Sequence, residues 1–309
     1  MNIKYNYNKK IETLFADQIF ITGFTRSGTS IISFLIGSLD KVHLSFEPMM
    51  INLLLNSNDF KNKVFLKAIY KSYFFEDFYI SYKNGRNFNF NINDESNIKK
   101  YKDIKFIREN LSKSKRRFEI IDNLNKSEKI AIKCANIFFK QKLLDEYSIK
   151  NLIIMIRKPD DILKSVVQKG WVNKNYSSKG FTKSFKKVNH KEVPFHLDKK
   201  EISIWNSMNN SEKFCWEIKK FNESVLKLNN SNLTIIDYND FCNNPEYYLN
   251  FLKSKHNLQS TKITNKIIKT IKPLKKKYFN YQKFKNNLNS KLYLDTLKSY
   301  EKVFKKRLT

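Results

Sequence analysis

The stretch FITGFTRSGTS (20–30) combines small and hydroxyl residues in the spacing of a phosphate-binding turn. An apolar run leads into Gly23, four residues separate it from Gly28, and the apolar residues that follow are sufficient for a helix. Backbone N–H groups at the start of a helix bind anions, and the helix dipole favours negative charge there. The residues predicted to form this cradle are Ser27, Gly28, Thr29 and Ser30.

The turn lacks the lysine that completes a nucleotide triphosphatase loop. The Walker A pattern places lysine directly after the second glycine, where this chain has Thr29. The only basic residue within the turn is Arg26, whose guanidinium adds a fixed charge and a planar set of donors. The sequence therefore predicts an anion site of a different kind from that of an ordinary triphosphatase.

A second pair of anion-binding side chains follows another predicted strand. Arg157 lies at the end of the apolar run NLIIMIRK (151–158), and Ser165 lies on the helix predicted after it. An arginine at a strand end and a hydroxyl on the next helix can bind one phosphate from two sides. Because parallel strands end at one sheet edge, the two sites together suggest a nucleotide with phosphates at two positions.

Three further side chains belong to predicted strands, two of them at or near the strand end. Glu47 ends KVHLSFEP (41–48), and a carboxylate in this place can act as a general base if burial raises its pKa. His43 is an alternative base, although its position inside the strand favours a packed histidine. Lys133 ends the strand predicted from EKIAIKC (128–134).

Three segments, in order, resemble the sulfotransferases that use 3′-phosphoadenosine 5′-phosphosulfate (PAPS). TGFTRSGTS resembles their 5′-phosphosulfate loop, and IIMIRKPDDILKSVV resembles their 3′-phosphate segment, with Arg and Ser at the same spacing. LTIIDYNDFCNNPEYYLNFL resembles a stretch near the C-terminal side of that fold, so that the similarity spans 18–253. Arginine in the first loop is closer to the tyrosylprotein and bacterial-type branch.

The resemblance implies sulfuryl transfer from PAPS to a hydroxyl, leaving 3′,5′-adenosine bisphosphate and requiring no metal. It implies that Glu47 is the base, that Arg26 balances the charge of the leaving phosphate, and that Lys133 stabilises the transferring group. It leaves adenine stacking to Tyr238 or to Trp171. A sulfate ester carries less charge than a γ-phosphate, which removes the need for a bridging divalent ion and the Walker lysine.

Two departures from the family pattern bear on these roles. The segment Lys133-Cys134-Ala135-Asn136 lacks the proline that follows the family's lysine, which weakens the transfer of that role to Lys133. Lys158 stands where the family has Asp or Asn, and phosphate binding by Arg157 is expected to survive this change.

Alternating strands and helices predict a three-layer α/β fold with a mostly parallel central sheet, helices on both faces and a likeness to P-loop nucleotide hydrolases. A long helix is expected over 199–229. We expect one sulfotransferase domain over 1–309, which divides into a core at 18–255, loop or lid excursions at 84–97 and 170–198, and a basic, mostly helical C-terminal extension at 256–309.

The net charge of +30, from 59 Lys+Arg against 29 Asp+Glu, has two readings. It suits a polyanionic partner, and for a transferase it favours an acidic saccharide or a glycolipid as the acceptor. It also fits a compositional bias, because Lys, Asn, Ile, Phe and Tyr are all abundant and the lysines are scattered. The densest basic cluster lies at 272–285 and is expected to be a solvated face.

Cysteine usage and hydropathy favour a cytoplasmic protein. The three cysteines are far apart, without metal-ligand spacing or an even count for disulfides, which suggests small apolar residues in a reducing compartment. No stretch reaches the roughly 20 apolar residues that a membrane span needs, and the N-terminus lacks the apolar region of a signal peptide.

Two other functions compete with sulfuryl transfer. A P-loop kinase or ATPase with an atypical Walker A turn would use Ser30, and FEIID (118–122) and LTIID (233–237) each end in aspartate like a Walker B strand. The missing lysine and the Arg157–Ser165 pair, which ATP does not need, argue against it. A non-catalytic polyanion-binding protein would interleave aromatic and basic residues on an exposed sheet, whereas these strands are apolar and predict no specific nucleic-acid partner.

Overall fold

The computed structural model describes most of the chain. The described residues are 9–56, 63–112, 115–125, 127–138, 144–145, 147, 149–171, 185–194, 196–229, 232–274 and 288–308.

A five-stranded, entirely parallel sheet forms the centre of the fold, in the order β2-β3-β1-β4-β7. Its strands are β1 (Ile19–Gly23), β2 (Val42–Phe46), β3 (Lys129–Lys133), β4 (Asn151–Ile156) and β7 (Leu233–Asp237). These strands are buried almost throughout, and their near-continuous apolar runs are typical of parallel strands covered on both faces. β1, which carries the glycine turn, occupies the middle position.

Helices cover both faces of the sheet. They are α1 (Lys9–Ala16), α2 (Thr29–Gly37), α3 (Met49–Asn56), α4 (Lys63–Ser72), α5 (Ser81–Lys83), α6 (Ile104–Leu111), α7 (Arg117–Asp122), α8 (Pro159–Gln168), α9 (Lys199–Ser207), α10 (Asn210–Leu226), α11 (Tyr238–Asn243), α12 (Pro245–His256), α13 (Lys262–Thr270) and α14 (Ser290–Phe304). A π-helical segment (Tyr73–Ile80) joins α4 to α5, and a 3₁₀ turn (Ile98–Lys100) follows.

The strand order determines which helices share a face. The β1-α2-β2 connection runs in the direction opposite to the later crossovers, so right-handed connections place α2 on the face opposite to theirs. α2 packs on β1, β2 and β3, and α13 packs on α2. α8, α10 and α14 pack on one another and form the other layer. The predicted α/β class, with a parallel sheet and helices on both faces, is confirmed.

The last described residues of the chain pack against β7, the outer strand of the sheet, and do not form a separate extension. The Leu308 amide donates to the Ile235 carbonyl of β7 at 2.8 Å. The Tyr300 hydroxyl donates to the Asp237 carboxylate at 2.8 Å, at the C-terminal end of the same strand. This part of the predicted C-terminal extension therefore contributes to the core fold. Most of the basic cluster at 272–285 lies outside the described residues.

The predicted loop over 170–198 contains an antiparallel hairpin of β5 (Phe185–Val188) and β6 (Lys191–Pro194). Asn189 and His190 form its two-residue turn with φ of 48° and 63°, the left-handed pair of a type I′ turn. The usual Asn-Gly signal is absent and the strands are mainly polar, so their sequence did not stand out. A lid role for this region stays a prediction, and 172–184 lie outside the described residues.

One other expected element was wrong, and one feature of the alternative kinase is absent. The single helix expected over 199–229 breaks at Asn209, which caps α10 by a capping box with Glu212, each interaction at 3.0 Å. The segment FEIID (118–122), considered as a Walker B strand, lies in helix α7. After β3, residues 135–138 form neither helix nor strand, and 139–143 lie outside the described residues.

Candidate functional site

The glycine turn between β1 and α2 has the backbone of an anion cradle. Arg26 and Gly28 have positive φ, 67° and 93°, on either side of Ser27. Such an alternation turns successive N–H groups towards a common point. Gly28 is the N-cap of α2, so the amides of Thr29 and Ser30 belong to the first helical turn, which has no intrahelical acceptor for its N–H groups. An anion at this position would also meet the positive end of the helix dipole.

Ser27 closes the turn through its backbone amide, and its role as a ligand stays a prediction. Its amide donates to the Phe24 carbonyl at 3.0 Å, and its side chain is fully buried. An added Cβ on Gly23 would lie 2.5 Å from the Ser27 hydroxyl, so glycine at position 23 makes room for it. The amides of Gly28, Thr29 and Ser30 remain for an anion.

Asn136 fixes the turn from the neighbouring strand end, and the sequence analysis missed it. Its side-chain oxygen accepts from the Thr25 amide at 2.8 Å, and its own amide donates to the Gly23 carbonyl at 3.0 Å. Asn136 has φ of 57°, a conformation that asparagine tolerates better than most residues. The signal that could have found it is an asparagine placed just after a buried strand, at Lys133-Cys134-Ala135-Asn136.

The two predicted anion-binding segments lie in direct contact. Arg26 Nε donates to Ser165 Oγ at 2.8 Å, and Arg157 Nη1 donates to the Arg26 carbonyl at 3.0 Å. The Arg26 guanidinium lies 5.7 Å from the ring centroid of Trp171. Arg26 therefore extends from the turn towards the β4 side of the site, where Arg157 and Ser165 lie.

Arg157 is held between the turn and Tyr238. Its guanidinium lies 4.8 Å from the ring centroid of Tyr238, and that ring covers Gly28 so closely that a Cβ there would overlap it. Burial is the main cause that lowers the pKa of Arg157, and the charge of Arg26 adds to it while that of Asp161 opposes it. Arg157 Nε is buried and has no hydrogen-bond partner among the described residues. A buried donor of this kind fits an anionic ligand, because a phosphate oxygen would satisfy it.

Glu47 and Lys133 form an ion pair at the ends of β2 and β3. Phe46 pairs with Lys133 in the sheet register, and the Lys133 ammonium lies 4.3 Å from the Phe46 ring centroid. Glu47 has φ of 49°, and its amide donates to the Lys133 carbonyl at 2.7 Å. Lys133 is only 2% exposed, whereas 27% of the Glu47 side chain is accessible. The carboxylate is therefore the member of the pair that an incoming group can reach.

The predicted site residues share one edge of the sheet. Glu47, Lys133 and Arg157 follow or end adjacent parallel strands, and the glycine turn follows β1 between them. β2 and β1 are separated by β3, which places the start of the Glu47 segment about 10 Å from the start of the turn at ordinary strand spacing. That spacing suits groups that contact different parts of one ligand.

An acidic side chain also contacts the cradle. Ser30 Oγ donates to Glu95 Oε2 at 3.0 Å, and Glu95 comes from the predicted excursion at 84–97. Asn and Ser side chains brace this loop internally, for example Asn89 to Ser96 at 2.6 Å. Glu95 was not predicted as a site residue, since nothing in the local sequence pattern places the loop over the turn.

His43, the alternative base, is buried in a separate network. Its Nε2 lies 2.7 Å from a Glu128 carboxylate oxygen, which also accepts from Tyr79 at 2.6 Å and from Lys83 at 3.3 Å. Burial lowers the pKa of His43 to about 4 despite the opposing effect of Glu128. His43 Nδ1 has no partner among the described residues, as suits a neutral ring whose Nε2–H donates to Glu128. These contacts confirm a packed histidine.

The described residues contain neither a membrane-spanning helix nor a cluster of metal ligands. None of their helices combines the length and the apolar character needed to cross a bilayer. Their His, Cys, Asp and Glu side chains form no cluster of three that could hold a metal ion.

Comparisons with known proteins show a similarity of structure rather than of sequence. No family model matches the chain, and no curated protein is similar to it in sequence. Among solved structures, the chain is similar to the crystal structure of a sulfotransferase from Alicyclobacillus acidocaldarius. The TM-score is 0.43 and the identity 11%, over 94% of this chain and 96% of that one.

Proposed function

We propose that this protein transfers a sulfuryl group from PAPS to a hydroxyl acceptor. The observation that carries the proposal is the contact between two anion-binding segments at one sheet edge. Arg26 of the glycine turn donates a hydrogen bond to Ser165, and Arg157 donates one to the backbone carbonyl of Arg26 in the turn. The Glu47–Lys133 pair lies at the ends of β2 and β3, on the other side of β1 from Arg157.

Each end of the donor has residues suited to it. The amides of Gly28, Thr29 and Ser30, at the start of α2, suit the 5′-phosphosulfate end. Arg157 and Ser165 suit the 3′-phosphate, and the unsatisfied Nε of Arg157 is a donor that this phosphate would complete. Tyr238, already stacked on Arg157, is the aromatic side chain proposed to contact adenine.

The Glu47–Lys133 pair supplies the groups for the transfer step. The donor provides a sulfuryl group activated by its bond to a phosphate oxygen. The acceptor oxygen bonds to sulfur, the bond from sulfur to that phosphate oxygen breaks, the acceptor proton passes to the Glu47 carboxylate, and adenosine bisphosphate leaves. Lys133 and Arg26 supply positive charge to the oxygens on which negative charge develops. The step as written requires no metal ion.

One observation favours a P-loop kinase or ATPase as a second candidate. Ser30 occupies the Walker hydroxyl position and contacts the Glu95 carboxylate, and a hydroxyl and a carboxylate hold Mg²⁺ in P-loop enzymes. The carboxylate of Asp237, the remaining Walker B candidate, already accepts from the Asn239 and Asp240 amides and from Tyr300. Engagement of both its oxygens argues against a role in holding a metal.

The acceptor class and the compartment are further parts of the proposal. The net charge of +30 supports the acidic saccharide or glycolipid acceptor predicted from composition. The buried, unpaired state of Cys134, Cys215 and Cys242 supports a reducing, cytoplasmic compartment.

Calorimetric titration of adenosine bisphosphate against ATP–Mg²⁺ tests the proposal. We expect the bisphosphate to bind the wild type and to bind Arg157→Ala at least tenfold more weakly, because a buried charged contact is lost. Glu47→Gln should bind it like the wild type but lose a factor of about 10²–10⁴ in transfer of ³⁵S-labelled sulfate from PAPS. Tight ATP–Mg²⁺ binding without bisphosphate binding would reject sulfuryl transfer and favour the kinase.

A further inference from the structure

Three aromatic rings stack beside the Glu47–Lys133 pair. The ring centroid of Phe46, at the end of β2, lies 5.6 Å from that of Phe34 on α2, with 16° between the two planes. The Phe34 centroid lies 6.0 Å from that of Tyr101, with 4° between those planes. Near-parallel rings at such distances are in a favourable offset arrangement. We call Phe46, Phe34 and Tyr101 the aromatic stack, which connects β2 to α2.

Lys133 contacts the aromatic stack at Phe46. The two residues are paired across β2 and β3, so their side chains lie on the same face of the sheet, which is the face that α2 covers. The Lys133 ammonium lies 4.3 Å from the centroid of the Phe46 ring, within the range of a cation–π interaction. The same ammonium donates to the Glu47 carboxylate. It therefore contacts both a negative charge and an aromatic face.

The burial of Lys133 makes the aromatic face important when the charge of Glu47 changes. Lys133 is 2% exposed, so water reaches its side chain poorly. In the proposed transfer the acceptor proton passes to Glu47, which neutralises the carboxylate and ends the ion pair. A buried ammonium that loses its counter-charge is destabilised. The negative face of the Phe46 ring remains in contact with the ammonium and offsets part of that loss.

The aromatic stack also relates Lys133 to the glycine turn. Phe34 follows Ser30 by four residues on α2, so the two residues lie on one face of the helix, about 6 Å apart along its axis. The amides at the start of this helix are the groups proposed to bind the 5′-phosphosulfate end of the donor. One helix therefore carries both the anion site and the ring that packs against Phe46.

We propose that Phe46 and Phe34 are positioning residues for the transfer step. Phe46 holds the Lys133 ammonium in place while Glu47 takes up the acceptor proton, and Phe34 fixes the orientation of the Phe46 ring. Lys133 then keeps its N–H donors directed at the oxygens of the transferring group instead of turning towards solvent. The inference rests on the proposed sulfuryl transfer and adds to it two residues that act through Lys133.

Acetylation of lysine side chains by acetic anhydride tests whether the aromatic face holds the ammonium. Mass spectrometry measures the rate of labelling at each lysine. Glu47→Gln imitates the neutral carboxylate of the transfer step, so Lys133 should stay protected in this variant, with labelling within about threefold of the wild type. Phe46→Leu in the Glu47→Gln background should raise the labelling of Lys133 by about tenfold or more, because both contacts of the ammonium are then lost.

Two further variants serve as controls for the labelling. Phe46→Tyr keeps an aromatic face and should protect Lys133 like the wild type. Phe251→Leu makes the same change as Phe46→Leu on α12, where the Phe251 centroid lies 5.9 Å from the Lys255 ammonium, and it should leave the labelling of Lys133 unchanged. Full labelling of Lys133 in Glu47→Gln alone, or equal protection with and without Phe46→Leu, would overturn the proposal.

Turnover tests the part that Phe34 plays. With ³⁵S-labelled PAPS and chondroitin as the acidic saccharide, Phe34→Leu should lower kcat by about three- to thirtyfold, while the affinity for adenosine bisphosphate stays within about twofold. Phe34→Tyr should retain the wild-type kcat. In a Lys133→Met background, Phe34→Leu should have no further effect, because the residue through which it acts is gone. Equal losses in both backgrounds would refute a role through Lys133.

These outcomes separate the inference from the proposed function. Bisphosphate binding together with an unprotected Lys133 in Glu47→Gln would overturn the positioning role while sulfuryl transfer stands. Absence of bisphosphate binding would overturn sulfuryl transfer, and with it any role of the aromatic stack in that step. If the bisphosphate binds but chondroitin is not sulfated, the acceptor class is wrong, and the protection of Lys133 decides the positioning role alone.

Discussion

Replacing Gly28 by alanine tests how closely the turn, Tyr238 and Arg157 depend on one another. Gly28 has φ of 93°, a conformation that costs an L-residue about 1–2 kcal/mol. A Cβ at this position would lie 2.5 Å from Tyr238 Cε2 and closer still to Cδ2. Carbon atoms prefer separations of roughly 3.5–4.0 Å, so the ring must move by about 1 Å or more.

The expected loss of stability follows from those two terms. Overpacking of a close contact costs about 1–3 kcal/mol, which brings the total for Gly28→Ala to about 2–5 kcal/mol. Gly170→Ala is the matched control, because Gly170 also has positive φ, 66°, but a Cβ there meets nothing within 4 Å. The control should lose only the conformational cost, about 1–2 kcal/mol.

Urea unfolding and calorimetry provide the two measurements. Displacement of the Tyr238 ring also disturbs its contact with Arg157, so Gly28→Ala should bind adenosine bisphosphate about tenfold more weakly than the wild type. In a double-mutant cycle, Tyr238→Ser should recover the part of the stability loss that comes from overlap. Equal losses in Gly28→Ala and Gly170→Ala, with unchanged bisphosphate affinity, would refute the packing described for this turn.

Three other perturbations have defined outcomes. Glu95→Gln removes a negative charge beside the Ser30 hydroxyl, so adenosine bisphosphate should bind about three- to tenfold more tightly by calorimetry. An unchanged or weaker affinity would contradict a position of the Glu95 carboxylate beside the anion site. Asn136→Gly keeps the positive φ but deprives the Thr25 amide of its acceptor, which should lower the free energy of unfolding in urea by about 1–3 kcal/mol. A decrease below about 0.5 kcal/mol would contradict a supporting role of this hydrogen bond. The pKa of His43 is 6.5 in the unfolded chain and about 4 in the folded protein, so the unfolded state binds more protons between these two pH values. The free energy of unfolding should therefore decrease as the pH falls from 6.5 to 4, by up to about 3 kcal/mol. Urea unfolding across that range should show a shallower decline in His43→Gln, and an identical profile would contradict a buried neutral ring.

The fold was predictable because its strands are simple in sequence. β1 and β4 are largely apolar and almost entirely buried, and each is followed by a polar or glycine-containing turn before a helix, which is the pattern of a parallel sheet. Arg157 and Glu47 could be placed at the sheet edge from this pattern alone, because the end of a parallel strand fixes where the next residue lies. The contacts that Arg157 and Glu47 make with other elements could not be predicted from this pattern.

What the sequence did not reveal depends on contacts between distant segments. Asn136 supports the turn only because β3 pairs with β1, and Glu95 reaches Ser30 only because the excursion folds back over α2. Neither relation has a local signature of spacing or composition. The turn-closing bond of the Ser27 amide could not be predicted either, since the pattern of small residues cannot distinguish an amide that faces a ligand from one that closes the turn.

The packing of Arg26 and Arg157 against each other gives a physical reason for the proposed donor. Arg26 and Arg157 are held in contact by Ser165 and by the turn carbonyl, although their like charges repel and Arg157 is partly desolvated. Such an arrangement is unfavourable in isolation, because buried positive charge needs a compensating partner. A ligand with one anionic end at the helix start and another at Arg157 would supply that compensation at both arginines. A ligand with a single anionic end would leave one of them uncompensated, which is the physical reason to expect selection for a nucleotide phosphorylated at two positions.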